Sequence, residues 1–181
     1  YAESLESVGV RGDRQNTAAL TLLQLQAELR KAKTRTELGY FAANEARTAL
    51  RAQQIVVLER RPKDRFSVHT VSSLTSVDRS SPLVLWFEAT VAALQQASGL
   101  SKAQEFDAGA FQVGLDSVQG SYPLRSLLWI PWIGRDGKPT AGMLLARSTP
   151  WTEHDIKIAG YLAGALAHAW CAFDATPARG H

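Results

Sequence analysis

With 181 residues, 45% of them hydrophobic and 20% charged, the chain is long enough to bury one substantial core and too short for two full domains, and its composition excludes a disordered polymer. No run of about 18 or more uninterrupted apolar residues occurs, so nothing reads as a membrane span; the single cysteine, Cys171, excludes an intrachain disulfide and favours a reducing, cytoplasmic setting. The formal charge of +3 gathers in two runs, Arg30, Lys31, Lys33, Arg35 and Arg60, Arg61, Lys63, Arg65; a phosphate or anionic-lipid contact is their functional reading, but without interleaved aromatics a solvated helix end and a basic hairpin turn come ahead of it, and no nucleic-acid surface is expected.

The first residues, "YAESLESVGVRGDRQN", lack the charged and apolar regions of a signal peptide, and the chain does not begin with Met. It reads as a piece of a longer protein. Residues 1–15 are expected to be a mobile lead-in, 16–175 the folded domain and 176–181 a tail.

From Thr17, Leu22, Leu25, Leu29 and Ala32 follow the three-four spacing of a helical stripe that Leu20 and Leu23 broaden. "TRTE" at 34–37 matches a capping box, so a second helix starts there, with Leu38, Phe41, Ala42, Glu45, Ala46 and Ala49 on or beside its buried face. "QIVVLER" and "RFSVHTVS", joined by "RPKD", predict an antiparallel hairpin. In "SSPLVLWFEATVAALQQASG" Ser81 is placed to cap, Pro82 opens the helix, Val84, Phe87, Val91 and Leu94 form its stripe, and Gly99 ends it.

Residues 100–125 show no sustained period, which suits a segment covering a site; a short strand is expected near Phe111–Leu115. "RSLLWIPWIGRDGKPTAGMLLARS" is the clearest hairpin in the chain, and Pro131 within it argues for an edge, a bulge or a tight backbone constraint. The last helix opens at "TEHD", with Thr152 and Asp155 as a capping pair. It runs on Ile156, Ala159, Ala163, Leu166, Trp170 and Phe173, and Pro177 is expected to stop it. Tight turns join antiparallel strands, so the fold class is α+β, an antiparallel sheet with the terminal helices on one face.

The stretch from Ser126 to Trp170 resembles the C-terminal half of a GAF domain. Ser126, Leu127, Leu128, Pro131, Gly137, Gly142, Leu144, Trp151, Thr152 and Asp155 occupy positions of that family's pattern, with Trp151 where Phe is usual. The resemblance implies a GAF-like (PAS-like) sheet with a covering helix and loop on the face opposite the terminal helices. More narrowly, the terminal helices resemble those of the GAF-type domain preceding the membrane-fusion segment of HlyD-type secretion adaptors.

No nucleophile elbow or carboxylate pair is recognisable, which argues against an enzyme. His168, Cys171 and Asp174 share a helical face but lie at a helix end and number fewer than the four ligands of a structural zinc site. In a GAF-like fold Trp86, Phe87, Phe106, Phe111 and Trp129 would enclose the ligand cavity, with Arg125, Asp116 or Ser126 as its polar groups. Strand alternation puts Trp129 and Trp132 on opposite faces, and Trp129 is the one expected in the pocket. The identity of any cofactor is left open.

The expected function is a non-catalytic regulatory module. It would bind a small molecule, or dimerise through Leu22, Leu25, Leu29, Ala159, Ala163, Leu166 and Trp170, or both. The alternative is a purely structural dimerisation domain with a filled core. No nucleic-acid partner is expected, and a membrane only through regions outside these residues. The small residues Gly160, Ala163, Gly164 and Ala167 imply close backbone approach, either to the domain's own sheet or to a partner helix.

Overall fold

The computed structural model describes residues 20, 22–111 and 122–179, with side chains through residue 173. Helix α1 (residues 22–29) turns Leu25 and Leu29 inward, but Leu20 and Leu23 stand 61% and 62% exposed, so the expected stripe is narrower than its apolar residues. Helix α2 (Arg35–Ala49) opens on Thr34, whose hydroxyl accepts the Glu37 amide at 3.1 Å. The Glu37 carboxylate returns to the Lys33 amide at 2.6 Å, one residue earlier than a standard capping box. Leu38, Gly39, Ala42, Ala43 and Ala46 form its buried face; Glu45 is exposed.

Strands β1 (Gln54–Arg61) and β2 (Arg65–Val71) form the first hairpin, closed by a short 3₁₀ turn at Pro62–Asp64. Helix α3 (Pro82–Ser98) begins on Pro82 and ends at Gly99, whose φ of 78° suits glycine. The Ser81 side chain makes no capping bond; the proline already removes one of the amides a cap would serve. A strand the sequence did not signal, β3 (Gln104–Asp107), follows. The strand expected at Phe111–Leu115 is not seen at Phe111, which lies in a turn, and the rest of it falls outside the described residues.

Strands β4 (Ser126–Ile133) and β5 (Pro139–Arg147) form the second hairpin, with Gly137 at φ 78° in its turn. The sheet runs β2-β1-β5-β4-β3 and every pairing is antiparallel. Only Ser126–Trp129 of β4 pairs with β3, leaving the second half of β4 at an open edge. Pro131 lies on that half, and a bulge follows between Trp132 and Ile133. Proline offers no amide to a further strand, so the edge is blunted there.

The two sheet faces bury separate cores. On one, α1, α2 and the last helix, α4 (Glu153–Arg179), cover Ile55, Val57, Leu128, Ile130, Trp132 and Met143. On the other, α3 and the segments after it cover Val56, Leu58, Leu127, Trp129 and Leu144. Gly142, on β5, makes room for this second core: a Cβ there would come within 2.2–3.0 Å of three atoms of the Trp129 ring. That ring cannot swing aside without giving up the bond from its Nε1 to the Leu100 carbonyl, 2.9 Å.

The joint between β5 and α4 is polar and buried. Arg147, 6% exposed, donates to Asp155 at 2.6 Å and to the carbonyls of Thr149 and Pro150, and its guanidinium stacks 3.9 Å from the Trp151 ring centre. Thr152 and Asp155 cap each other's amides at 3.2 and 3.1 Å, the pairing expected from sequence. Helix α4 continues past Pro177 to Arg179. A proline deletes one helical bond and crowds the carbonyl four residues back; here that does not end the helix.

Two outcomes follow from these contacts. Gly142→Ala overpacks the Trp129 site and should lower stability by about 1–3 kcal/mol in chemical denaturation, whereas Gly164→Ala, whose Cβ meets nothing within 4 Å, should not. Burial alone would raise the Asp155 pKa, but the bonds from Arg147 and Thr152 outweigh it and hold the carboxyl below its ordinary 3.8. A depressed pKa contributes stability above the ordinary carboxylate range that is lost as pH falls through the folded value. The stability difference between the protein and Asp155→Asn should therefore be constant near neutrality, about 3 kcal/mol, and shrink as pH drops below about 4.

Candidate functional site

The site the sequence pointed to lies on the α3 side of the sheet. Helical spacing turns Val84, Phe87, Val91 and Leu94 inward, and Trp86 and Thr90, one turn apart, form a second buried row beside them. Trp86 packs against Phe87 at 5.5 Å and Tyr122 at 5.0 Å between ring centres, and Phe87 meets Tyr122 edge-on. The Tyr122 hydroxyl donates to the Gln54 side chain, and burial pushes its pKa up. Trp129 meets Phe66 edge-on at 5.9 Å.

The six expected pocket residues do not form one ring around a space. Trp86, Phe87 and Trp129 are fully buried in the second core. Phe106 and Phe111 are half-buried and pack on each other at 5.6 Å. Arg125 lies nearer the surface, bonded to Asp107 at 2.7 Å. The Gly109 amide, with that guanidinium, holds the exposed Asp107 carboxyl below its usual pKa. Ser126 begins β4, and its carbonyl accepts the Trp151 indole at 3.1 Å; Asp116 lies outside the described residues.

What the sequence reading missed is polar and central. Among the described residues Trp86 Nε1 and Thr90 Oγ1 are buried without a hydrogen-bond partner, in residues 0% and 1% exposed, and so is Trp132 Nε1 on the terminal-helix side. Leaving such a group unmet costs about 1–3 kcal/mol, and native interiors hold few of them. The signal available in the sequence was a hydroxyl residue, Thr90, at a core position of an otherwise apolar helical stripe. Among the described residues no charged side chain is buried on this face: those buried and polar or charged are Thr70, Ser72, Thr90 and Arg147, and Arg147 is spent on Asp155.

The face covered by the terminal helices is built differently. Leu25, Leu29, Ala159, Ala163, Leu166 and Trp170, expected at a dimer interface, lie inside the domain's own core, with Leu22 packed against it. The Trp170 ring meets Trp132 at 5.6 Å and His69 at 5.1 Å, lies under the Arg35 guanidinium at 4.8 Å, and its carbonyl accepts from Arg35. Burial lowers the His69 pKa.

Outside this core, a groove of about 410 Å³ runs between α4 and the open half of β4, lined in part by Pro131, Ile133, Gly160, Gly164 and His168. A Cβ on Gly160 or Gly164 would meet nothing, so neither glycine is required for approach to the domain's own sheet. Among the described residues, no three His, Cys, Asp or Glu side chains gather where a metal ion could be held.

No family model matches the sequence and no curated protein does. Solved structures do match in shape. The GAF domain of a phosphoenolpyruvate-protein phosphotransferase from Coxiella burnetii superposes with a TM-score of 0.65 at 14% identity, covering 89% of this chain and 96% of its own. A methyl-accepting chemotaxis protein fragment, residues 122 to 287, gives 0.62 at 12% identity, with 86% and 98% covered. A bacteriophytochrome from the photosynthetic bacterium R. palustris gives 0.60 at 12% identity over 91% of this chain and 39% of that one. Among the described residues a five-stranded antiparallel sheet carries three helices on one face and a covering helix on the other, and the chain has the fold of the GAF domains.

Proposed function

We propose that the chain is a non-catalytic sensory or regulatory module that takes a small, uncharged molecule on the α3 side of its sheet. It would work as the cytoplasmic part of a larger signalling or secretion protein, with the HlyD-type adaptors as the narrower setting. The observation that carries the ligand reading is that on this side two groups, Trp86 Nε1 and Thr90 Oγ1, find no partner among the described residues. Both can donate to one acceptor-bearing ligand, and the aromatic rings around them suit a planar one. Among the described residues no charge is buried on that face, which favours a neutral ligand, since a buried ion without a partner is strongly disfavoured. The sensor, chemotaxis and phytochrome proteins that share the fold support a signalling role.

A second reading rests on Trp129. Its ring fills the space over Gly142 and is bonded to Leu100, which suits a structural dimerisation domain whose core its own side chains occupy. The two readings separate in a thermal-shift screen with nucleotides, tetrapyrroles and small aromatics. Under the first, one class raises the melting temperature, and Trp86→Phe with Thr90→Val abolishes that rise. If no class does so, the structural reading stands. In the free protein Thr90→Val should be neutral or stabilising by about 1 kcal/mol, because it removes an unmet hydroxyl at constant shape; a loss of that size would show that the hydroxyl is already satisfied.

Under either reading we place self-association on the exposed side of the terminal helices, at Leu20, Leu23 and Tyr161, all more than half exposed. Light scattering at micromolar concentration should give a dimer, and Leu23→Asp with Tyr161→Asp a folded monomer. An unchanged mass in that double variant would rule this interface out.

A further inference from the structure

The two basic runs of the sequence, some thirty residues apart, are brought by the fold to one end of the sheet. Arg35 at the start of α2 lies over Trp170, which packs on Trp132 near the end of β4. Trp132 is in register with Ala141, and Ala141 with Glu59. Beyond that row project the β1–β2 turn, with Lys63 and Arg65, and the β4–β5 turn, with Arg135 and Lys138. A bond of 3.3 Å from Arg60 to Asp136 ties the two turns together.

This end gathers ten cations, the eight of the two runs plus Arg135 and Lys138, against five carboxylates, Glu28, Glu37, Glu59, Asp64 and Asp136. Elsewhere in the sequence ten cations face twelve carboxylates, so the whole positive excess of the chain sits here. The carboxylates are largely engaged: Glu28 with Lys31, Glu59 with Arg61, Asp136 with Arg60. Among the described residues no carboxylate pairs with Lys63, Arg65, Arg135 or Lys138, and all four are exposed.

We propose that this end of the domain docks on an anionic lipid surface. The cations stand on separate turns and element ends, with Arg135 at the rim of the groove beside β4, an arrangement that matches a plane of charges better than a single polyanionic strand. Ile133, 40% exposed at the end of β4, adds an apolar side chain among them, as interfacial contacts use. The segments that carry the charge, 30–35, 60–65 and 133–138, contain no aromatic residue on which bases could stack.

The test is sedimentation of the protein with vesicles of phosphatidylcholine alone or mixed with phosphatidylserine, at about 0.1 M salt, where charges act over ~10 Å. Binding is expected only to the mixed vesicles and should weaken steeply as salt rises. The triple variant Lys63→Glu, Arg65→Glu, Lys138→Glu should lose more than about tenfold in affinity at an unchanged melting temperature. Lys157→Glu, near the start of α4 at the opposite end, should bind like the parent. The proposal is overturned if the protein ignores the mixed vesicles, if it binds both kinds equally, or if the triple variant binds like the parent. Duplex DNA binding more tightly than the vesicles at the same salt would overturn it in favour of nucleic acid.

Discussion

A guanidinium taken out of water must find partners for its five N–H groups and its charge, and Arg147 finds them by tying together the end of β5 and the start of α4. Its bonds to Asp155 and to the Thr149 and Pro150 carbonyls set the path of the chain as it leaves the sheet, and its plane fixes the face of Trp151. Trp151 in turn passes its amide to Glu105 on β3, at 2.6 Å, and its indole to the Ser126 carbonyl at the start of β4. One buried ion pair thereby links three strands and the longest helix. A pair of this kind adds little net stability against an apolar replacement, but breaking it strands a buried charge, so its effect is to specify where α4 docks.

With α4 placed, the two faces of the sheet meet different constraints. On the terminal-helix side, alanines at 42, 43, 46, 159, 163 and 167 let helices lie close over strands whose side chains are large, among them Trp132, Met143 and Leu145. Gly39 carries this furthest: a Cβ there would come within 2.6 Å of the His69 ring, which stands on the irregular stretch of β2 and packs on Trp170. On the α3 side the crowding is relieved from within the sheet, by Gly142 under Trp129. The indole of Trp129 is satisfied, whereas that of Trp86 finds no partner among the described residues.

Much of this was legible in the sequence because it depends on local rules. The Thr34 and Thr152 caps, the two hairpins with Gly137 and Pro62 in their turns, and the assignment of Trp129 and Trp132 to opposite faces all follow from spacing. What was not legible depends on partners distant in the chain. Arg147 looks like any strand-end arginine until Asp155 and Trp151 close around it. The strand Gln104–Asp107 alternates too briefly to be recognised and exists because Ser126–Trp129 offers it an edge. Leu25 and Leu166 have the spacing of an interhelical seam, but a helix lying on its own sheet needs the same stripe. Thr90 offered a sequence signal, a hydroxyl in an apolar row; that no described residue answers it emerges only once the neighbours are in place.

The small-residue helix then acquires a definite physical reading. By length and composition alone, the stretch from Glu153 to Phe173 would pass for a membrane span, with a mean hydropathy of 1.3, yet Leu162, Leu166 and Trp170 are spent on the core. Its alanines at 159, 163 and 167 are buried in the core, the latter two at the floor of the groove beside the open half of β4 that Gly160 and Gly164 also line. Each glycine costs about 1 kcal/mol of helix propensity relative to Ala, and no contact within the domain requires either. The strand edge beside them is the one that Pro131 and the Trp132/Ile133 bulge make unfit for extension by another strand. A face kept small on the helix and closed to β-pairing on the strand can still accept a helix or a side chain, and it discourages the edge-to-edge assembly that an unprotected strand would invite.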